Sequence, residues 1–227
     1  MGRLNELLQC KPQALLFDLD GTLLDSAPDL AQAVDRMLVD LQRVPAGEAR
    51  VREWIGNGSR KLVQRALAHA YQADVIADDQ IDAAQAIFFR HYHACMTDRS
   101  RLYAGVIEAL EDWHRRGIAM ACVTNKPARF TEPLIDFYGL RGFMPIAISG
   151  DSLPVRKPDP APLLEACRRL GVAPTAAVMV GDSRNDVLAA RAAGMPVVCV
   201  GYGYNHGRPI AAEGADLLVD SLASLIG

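Results

Sequence analysis

The stretch Leu15-Leu-Phe-Asp-Leu-Asp-Gly-Thr-Leu-Leu-Asp-Ser26 sets two carboxylates one residue apart at the end of an apolar run. Side chains at i and i+2 of an extended segment point the same way, so Asp18 and Asp20 face one space just beyond a strand beginning near Ala14. Asp20-Gly21 is also a turn dipeptide, and a strand leaving the core through a polar turn would account for the pair by itself. The rest of the chain decides between a turn and a site.

Downstream, short apolar runs at 118–123 (IAMACV), 145–149 (PIAIS), 176–180 (AAVMV) and 196–200 (PVVCV) are each bounded by Gly, Pro or polar residues. Their continuous apolarity predicts strands covered on both faces. Between them, Val106, Ile107, Leu110 and Trp113 keep a helical spacing that Gly117 stops, and helical stretches at 162–170 and 186–193 end at Gly171 and Gly194. Strand alternating with helix predicts an α/β fold with a parallel sheet wound by helices on both sides, and the 14–17 segment joins that sheet. Between the first strand and the second lie roughly a hundred residues without a strand pattern, far more than an ordinary crossover needs. Leu30, Val34, Leu38 and Leu41 mark one helix there, Leu62, Val63, Ala66, Leu67, Ala70 and Tyr71 a second, and 81–95 a third, which predicts a separate helical bundle.

The composition admits an ordinary soluble domain: of 227 residues, half are hydrophobic and 22% charged, with 24 basic against 27 acidic side chains and a net charge of -3. No basic stripe marks a nucleic-acid surface, and no apolar stretch reaches the length of about 18 residues that marks a membrane span. Cys10, Cys95, Cys122, Cys167 and Cys199 are scattered without a CxxC spacing, so neither a zinc site nor a disulfide framework is expected. The start MGRLNELLQCKPQ lacks the apolar centre of a secretory signal, and the cytoplasm is the expected compartment. Oligomeric state stays open between monomer and homodimer.

In open parallel sheets, ligands bind beyond the carboxyl ends of the strands. There this chain has Asp18 and Asp20, then Thr124-Asn125-Lys126, then a loop leading to Lys157-Pro158, then Gly181-Asp182-Ser183-Arg184-Asn185-Asp186. Hard oxygen donors without neighbouring Cys or His favour Mg²⁺, whose charge would offset the repulsion among Asp18, Asp20 and Asp182. An ionised Asp held against a phosphate ester can act as nucleophile, and a second carboxyl can protonate the leaving alcohol. Thr124, backbone N–H groups and Lys157 supply donors for the peripheral phosphoryl oxygens. In the inserted segment, Gly56-Asn57-Gly58-Ser59 reads as a loop opening a helix, whose N–H groups can hold a carboxylate with Arg60 as a bidentate partner; the alternative is a plain chain break beside a solvated arginine. His206 reads as a turn residue, Tyr202 and Tyr204 as loop-shaping, and Asp25 and Asp29 as structural groups beside a helix start that Ser26 can cap.

FDLDGTLLDS, the Thr124 step, Lys157-Pro158 and GDSRND, in that order, resemble the four motifs of the haloacid dehalogenase-like phosphohydrolases. The resemblance implies a Rossmann-like doubly wound core at 1–24 plus 103–227, with a helical cap domain at 25–102. It implies Asp18 as nucleophile, Asp20 as acid and base, and Mg²⁺ bound through Asp18, the Asp20 backbone carbonyl and Asp182, with Asp186 supporting the metal. Thr124, Asn125 and Lys157 would bind phosphate, and Gly56 and Arg60 would set specificity. An acid at position 20 argues against dehalogenation. The segments 150–160, 202–210 and 54–60 are most similar to bacterial phosphoglycolate phosphatases, so the expected substrate is 2-phosphoglycolate, a small phosphate ester. Another phosphatase or a phosphomutase for a sugar phosphate, a phospho-accepting signalling protein and a non-catalytic binding protein are the alternatives.

Overall fold

The computed structural model describes Leu4 and residues 11–226; Cys10 and the reading of the N-terminal stretch lie outside the described residues. Six parallel strands form one sheet in the order β5-β4-β1-β6-β7-β8, with β1 at Ala14–Phe17, β4 at Ala119–Val123, β5 at Ile146–Ile148, β6 at Ala177–Gly181, β7 at Val197–Val200 and β8 at Leu217–Val219. After β1 the chain builds outward on one side through β4 and β5, then crosses to β6 on the other, so the switch of direction flanks β1. Both neighbours of β1 are in register from its first residue to its last, Ala14 opposite Ala119 and Ala177, Phe17 opposite Cys122 and Val180.

Strand alternation divides the core. Leu15 and Phe17 join Met120, Cys122, Val178 and Val180 on one face of the sheet, while Leu16, Ala121, Val123 and Met179 belong to the other. The first face is covered by the helix Val106–Arg115 (α5), whose Trp113 stacks on Phe17 with ring centroids 5.6 Å apart. The second is covered by Ala161–Leu170 (α7) and Arg184–Ala192 (α8). The helix Ala128–Phe137 (α6) turns Leu134 and Ile135 toward the sheet and Phe130 toward the insertion.

Four helices, Ala27–Asp40 (α1), Glu48–Arg52 (α2), Ser59–Tyr71 (α3) and Asp78–Cys95 (α4), occupy the segment after β1 and share an apolar cluster that Phe130 and Tyr204 join from outside it. Three were expected; α2 is only five residues long and carries one buried side chain, Val51, too little to leave a periodic signal. The insertion enters through β2 (Leu24–Asp25) and leaves through β3 (Arg101–Leu102), which pair antiparallel. Ser26 stands at the start of α1 but makes no side-chain cap. Asp29, fully buried, instead ties the start of the helix to the exit of the insertion by accepting from Arg99 N (2.9 Å), Ser100 N (2.8 Å) and Ser100 Oγ (2.6 Å). Cys95, Cys122, Cys167 and Cys199 are buried and free, and among the described residues no helix is long and apolar enough to cross a membrane.

The contact between β1 and α5 should dominate the stability of this face. Trp113→Ala is expected to lower unfolding free energy by about 3–5 kcal/mol in urea denaturation. The Trp113 indole N–H is buried without a partner among the described residues, so Trp113→Phe should cost less than the alanine variant.

Candidate active site

The tips of β1, β4 and β6 converge because these strands are adjacent and parallel. Asp18 leaves β1 directly, its backbone N–H still bonded to Val180 O at 3.0 Å. Its carboxylate accepts from the N–H of Leu19 at 2.7 Å and lies 3.2 Å from Lys157 Nζ. Lys157 is also buried, and its ammonium donates to Val123 O at 2.6 Å and Asp186 Oδ1 at 2.7 Å. Asp186 occupies the third position of α8 in a capping box with Ser183, accepting from Ser183 N at 3.1 Å and Ser183 Oγ at 2.7 Å. The helix start thereby fixes the carboxylate that Lys157 meets.

Asp182 completes the acidic group. Its carboxylate accepts from Thr22 Oγ1 at 2.8 Å and from Tyr204 N at 2.6 Å. Gly21 lies at φ +88°, and a Cβ there would overlap the Asp182 carboxylate, so the turn after Asp20 demands glycine on both counts. Carboxylate oxygens of Asp18, Asp182 and Asp186 all lie within 4.8 Å of one another. Burial pushes the Asp18 carboxyl up from 3.8 to about 6, with Asp186 and Asp20 adding to the rise against the opposing pull of Lys157. Burial, Asp186 and Asp18 raise Asp182 well above its usual range. For Lys157, burial alone would lower the pKa, but Asp18 and Asp186 outweigh it and the group stays charged. Hard oxygen donors crowded enough to resist ionisation fit a divalent cation, which would favour their charged forms.

Asp20 sits apart from this group. Its carboxylate is held by Ser26 Oγ at 2.6 Å and by Lys126 Nζ at 2.9 and 3.0 Å. Ser26, expected as a helix cap, serves Asp20 instead. Lys126 was legible only as part of the polar tip after β4; nothing in the sequence signalled that it would turn back to Asp20 and rest over the Tyr92 ring, 4.7 Å from its centroid. Thr124 is buried at the same tip, its N–H bonded to Ile148 O at 2.9 Å.

Two expected site residues behave differently. Asn125, expected to bind phosphate, donates its side-chain amide to Gly56 O at 3.0 Å and Lys157 O at 2.9 Å, so it clamps the inserted loop to the core. Arg60, expected to meet a substrate carboxylate, is paired with Asp78 at 2.5 Å and with Asp82, both on α4, and lines a neighbouring surface groove. Gly56 does reach the site: its carbonyl also accepts from Asn185 Nδ2 at 3.1 Å, and His206 packs beside it while its Nδ1 lies 3.2 Å from Glu53 O. His206, expected as a turn residue, does lie in a turn, at φ +52°. Tyr204 and Arg52 both contact Asp25, Arg52 at 3.1 Å, which makes Asp25 a structural anchor at the end of β2.

Asp18, Asp20, Thr124, Asn125 and Lys126 open into a cavity of about 40 Å³ closed on the other side by Leu30, Ile55, Leu62, Phe88, Tyr92 and Phe130. One wall is polar and belongs to the strand tips; most of the other is apolar and belongs to the insertion.

In metal-free protein, Asp18 and Asp182 bind protons more tightly folded than unfolded. Their contribution to stability is therefore full below pH 3.8 and is lost as pH rises, through about 6 for Asp18. A divalent cation selects the ionised forms, so the gain in Tm on adding Mg²⁺ should be small near about pH 5 and larger near about pH 7.5. Equal gains in thermal scans at both pH values would contradict a metal held by these carboxylates.

A haloacid dehalogenase-like hydrolase family model matches residues 12–194. Over 218 residues the chain is 49% identical to Phosphoglycolate phosphatase 1 of Pseudomonas aeruginosa, covering 95% of this chain and 79% of that protein. With Phosphoglycolate phosphatase of Nitrosococcus oceani it shares 44% over 215 residues, covering 95% of each. Among solved structures, a predicted phosphoglycolate phosphatase from Haemophilus somnus superposes with a TM-score of 0.88 at 38% identity, covering 93% of this chain and 95% of that one. The chain belongs to the haloacid dehalogenase-like hydrolases.

Proposed function

We propose that the protein is a phosphatase that hydrolyses 2-phosphoglycolate to glycolate and phosphate. The observation that carries this reading is the separation of two carboxylates on one turn: Asp18 buried against Lys157 at the tip of the central strand, Asp20 held at the cavity edge by Ser26 and Lys126. The phosphoglycolate phosphatases similar to this chain over nearly its whole length support the choice of ester.

In this reading Asp18 attacks phosphorus while the ester P–O bond breaks, and Asp20 gives its proton to the departing glycolate oxygen. Asp20 then takes a proton from a water that attacks the aspartyl-phosphate, and phosphate leaves with Asp18 restored. Thr124 donates to the peripheral oxygens of the phosphoryl group, Lys157 lends them its positive charge from beside Asp18, and at Asn125 the donor is the backbone N–H, its side chain being engaged elsewhere. Mg²⁺ would be held by Asp18, Asp182 and the Asp20 backbone carbonyl, with Asp186 supporting it or its waters, and when bound it neutralises charge on the phosphoryl oxygens. The segment 25–102 acts as a cap over the core formed by 1–24 and 103–227, with hinges at Leu24 to Asp25 and at 101–105. The small cavity between them suits a substrate of a few heavy atoms beyond the phosphate.

A panel of phosphate esters assayed with purified protein and Mg²⁺ tests the substrate: 2-phosphoglycolate should lead, and a flat, weak response across the panel, or a sugar phosphate in first place, would remove it. Asp18→Asn should abolish phosphate release, and Asp20→Asn should lower kcat by about 10²–10⁴-fold. A phosphoenzyme that persists for minutes without releasing phosphate would indicate signalling instead of hydrolysis.

A further inference from the structure

We propose that Lys126 receives the carboxylate of the substrate and so selects short phosphate esters with an anionic group next to the ester carbon. The proposal rests on the reading of the site as a 2-phosphoglycolate phosphatase and names the residue that makes the choice. Among the described residues lining the cavity, Lys126 is the one cation. Lys157 is occupied by Asp18, Asp186 and Val123 O, and Arg60 by the acids of α4.

The distances favour Lys126 for a specific chemical reason. Asp20 must touch the ester oxygen to protonate it, and in 2-phosphoglycolate the carboxylate carbon is two bonds from that oxygen. Lys126 Nζ lies 2.9 and 3.0 Å from the two oxygens of Asp20, so it stands beside the position the carboxylate would take. An ammonium has three N–H groups, and pairing with one carboxylate leaves it able to meet a second. Lys126 is only 6% exposed, so it cannot turn away to solvent, and the Tyr92 ring backs it at 4.7 Å. Leu30, Ile55, Leu62 and Phe88 on the facing wall offer a carboxylate no charge, and a buried carboxylate without a cation would be strongly disfavoured. The Tyr92 hydroxyl and Asn125 Oδ1, on residues of the same cavity, are buried without partners among the described residues, as expected where a polar ligand belongs.

The test compares 2-phosphoglycolate with ethyl phosphate, which replaces the carboxylate by a methyl group, in wild type, Lys126→Met and Lys126→Arg. The quantity read is the ratio of kcat/KM for the two esters within one preparation, which does not depend on how much of a variant is folded. Wild type should prefer 2-phosphoglycolate, Lys126→Met should lose roughly two orders of magnitude of that preference, mostly through KM, and Lys126→Arg should keep most of it. A wild-type preference that survives intact in Lys126→Met would overturn the assignment while leaving the substrate reading standing. Equal losses on both esters would also overturn it, by limiting Lys126 to holding Asp20. A wild type that turns over ethyl phosphate as well as 2-phosphoglycolate would overturn the substrate reading, and the assignment with it.

Discussion

One buried ammonium organises the site. Lys157 bonds to the last carbonyl of β4, to the carboxylate after β1 and to the carboxylate in the first turn of α8, so a single cation joins three segments of chain far apart in sequence. Burying such a charge is unfavourable unless it is paired and hydrogen-bonded; here two hydrogen bonds, to Val123 O and Asp186, and the ion pair with Asp18 answer it. The arrangement needs β1 flanked by β4 and β6, because only adjacent parallel strands bring their tips to one place. Sheet order and site electrostatics are therefore one constraint seen at two scales.

The turn after β1 shows how environment divides two identical side chains. Asp18 is buried against other carboxylates and resists ionisation, answered only in part by Lys157. Asp20, two residues later, has a hydroxyl and its own lysine for company. The turn between them and the rest of the chain passes so close to Asp182 that position 21 admits only glycine, since a Cβ there would overlap the Asp182 carboxylate.

The sheet was legible because a strand covered on both faces must be apolar throughout, and β1, β4, β6 and β7 obey this. The edge strand β8 left no comparable run: three residues long and only partly buried, Leu217–Val219 escapes the pattern. In the site, short side chains leaving strand tips were easy to place because their reach is limited. Asp18, Asp20, Asp182 and Asp186 gather at the tips of β1 and β6 for that reason. Long side chains were not. Arg60 follows a glycine loop that does border the cavity, yet its guanidinium extends to Asp78 and Asp82, while Lys126, two residues past Thr124, folds back to Asp20. Sequence gives where a long cation is anchored; which anion captures it depends on helices packed from elsewhere. Asn125 repeats the point, since its partner Gly56 O belongs to a distant loop.

The paired strands at the neck of the helical insertion have an evolutionary meaning. Leu24 faces Leu102 and Asp25 faces Arg101, so the chain returns to the place from which it departed, whatever lies between. To the sheet, the insertion is a loop with fixed ends, and the entropic cost of closing a loop grows only slowly with its length. The doorway can therefore admit helices of other lengths and sequences while the strand tips stay in register. Most of the apolar wall of the cavity is thus exchangeable at two short seams, while Lys126 and the carboxylates at the strand tips stay with the sheet.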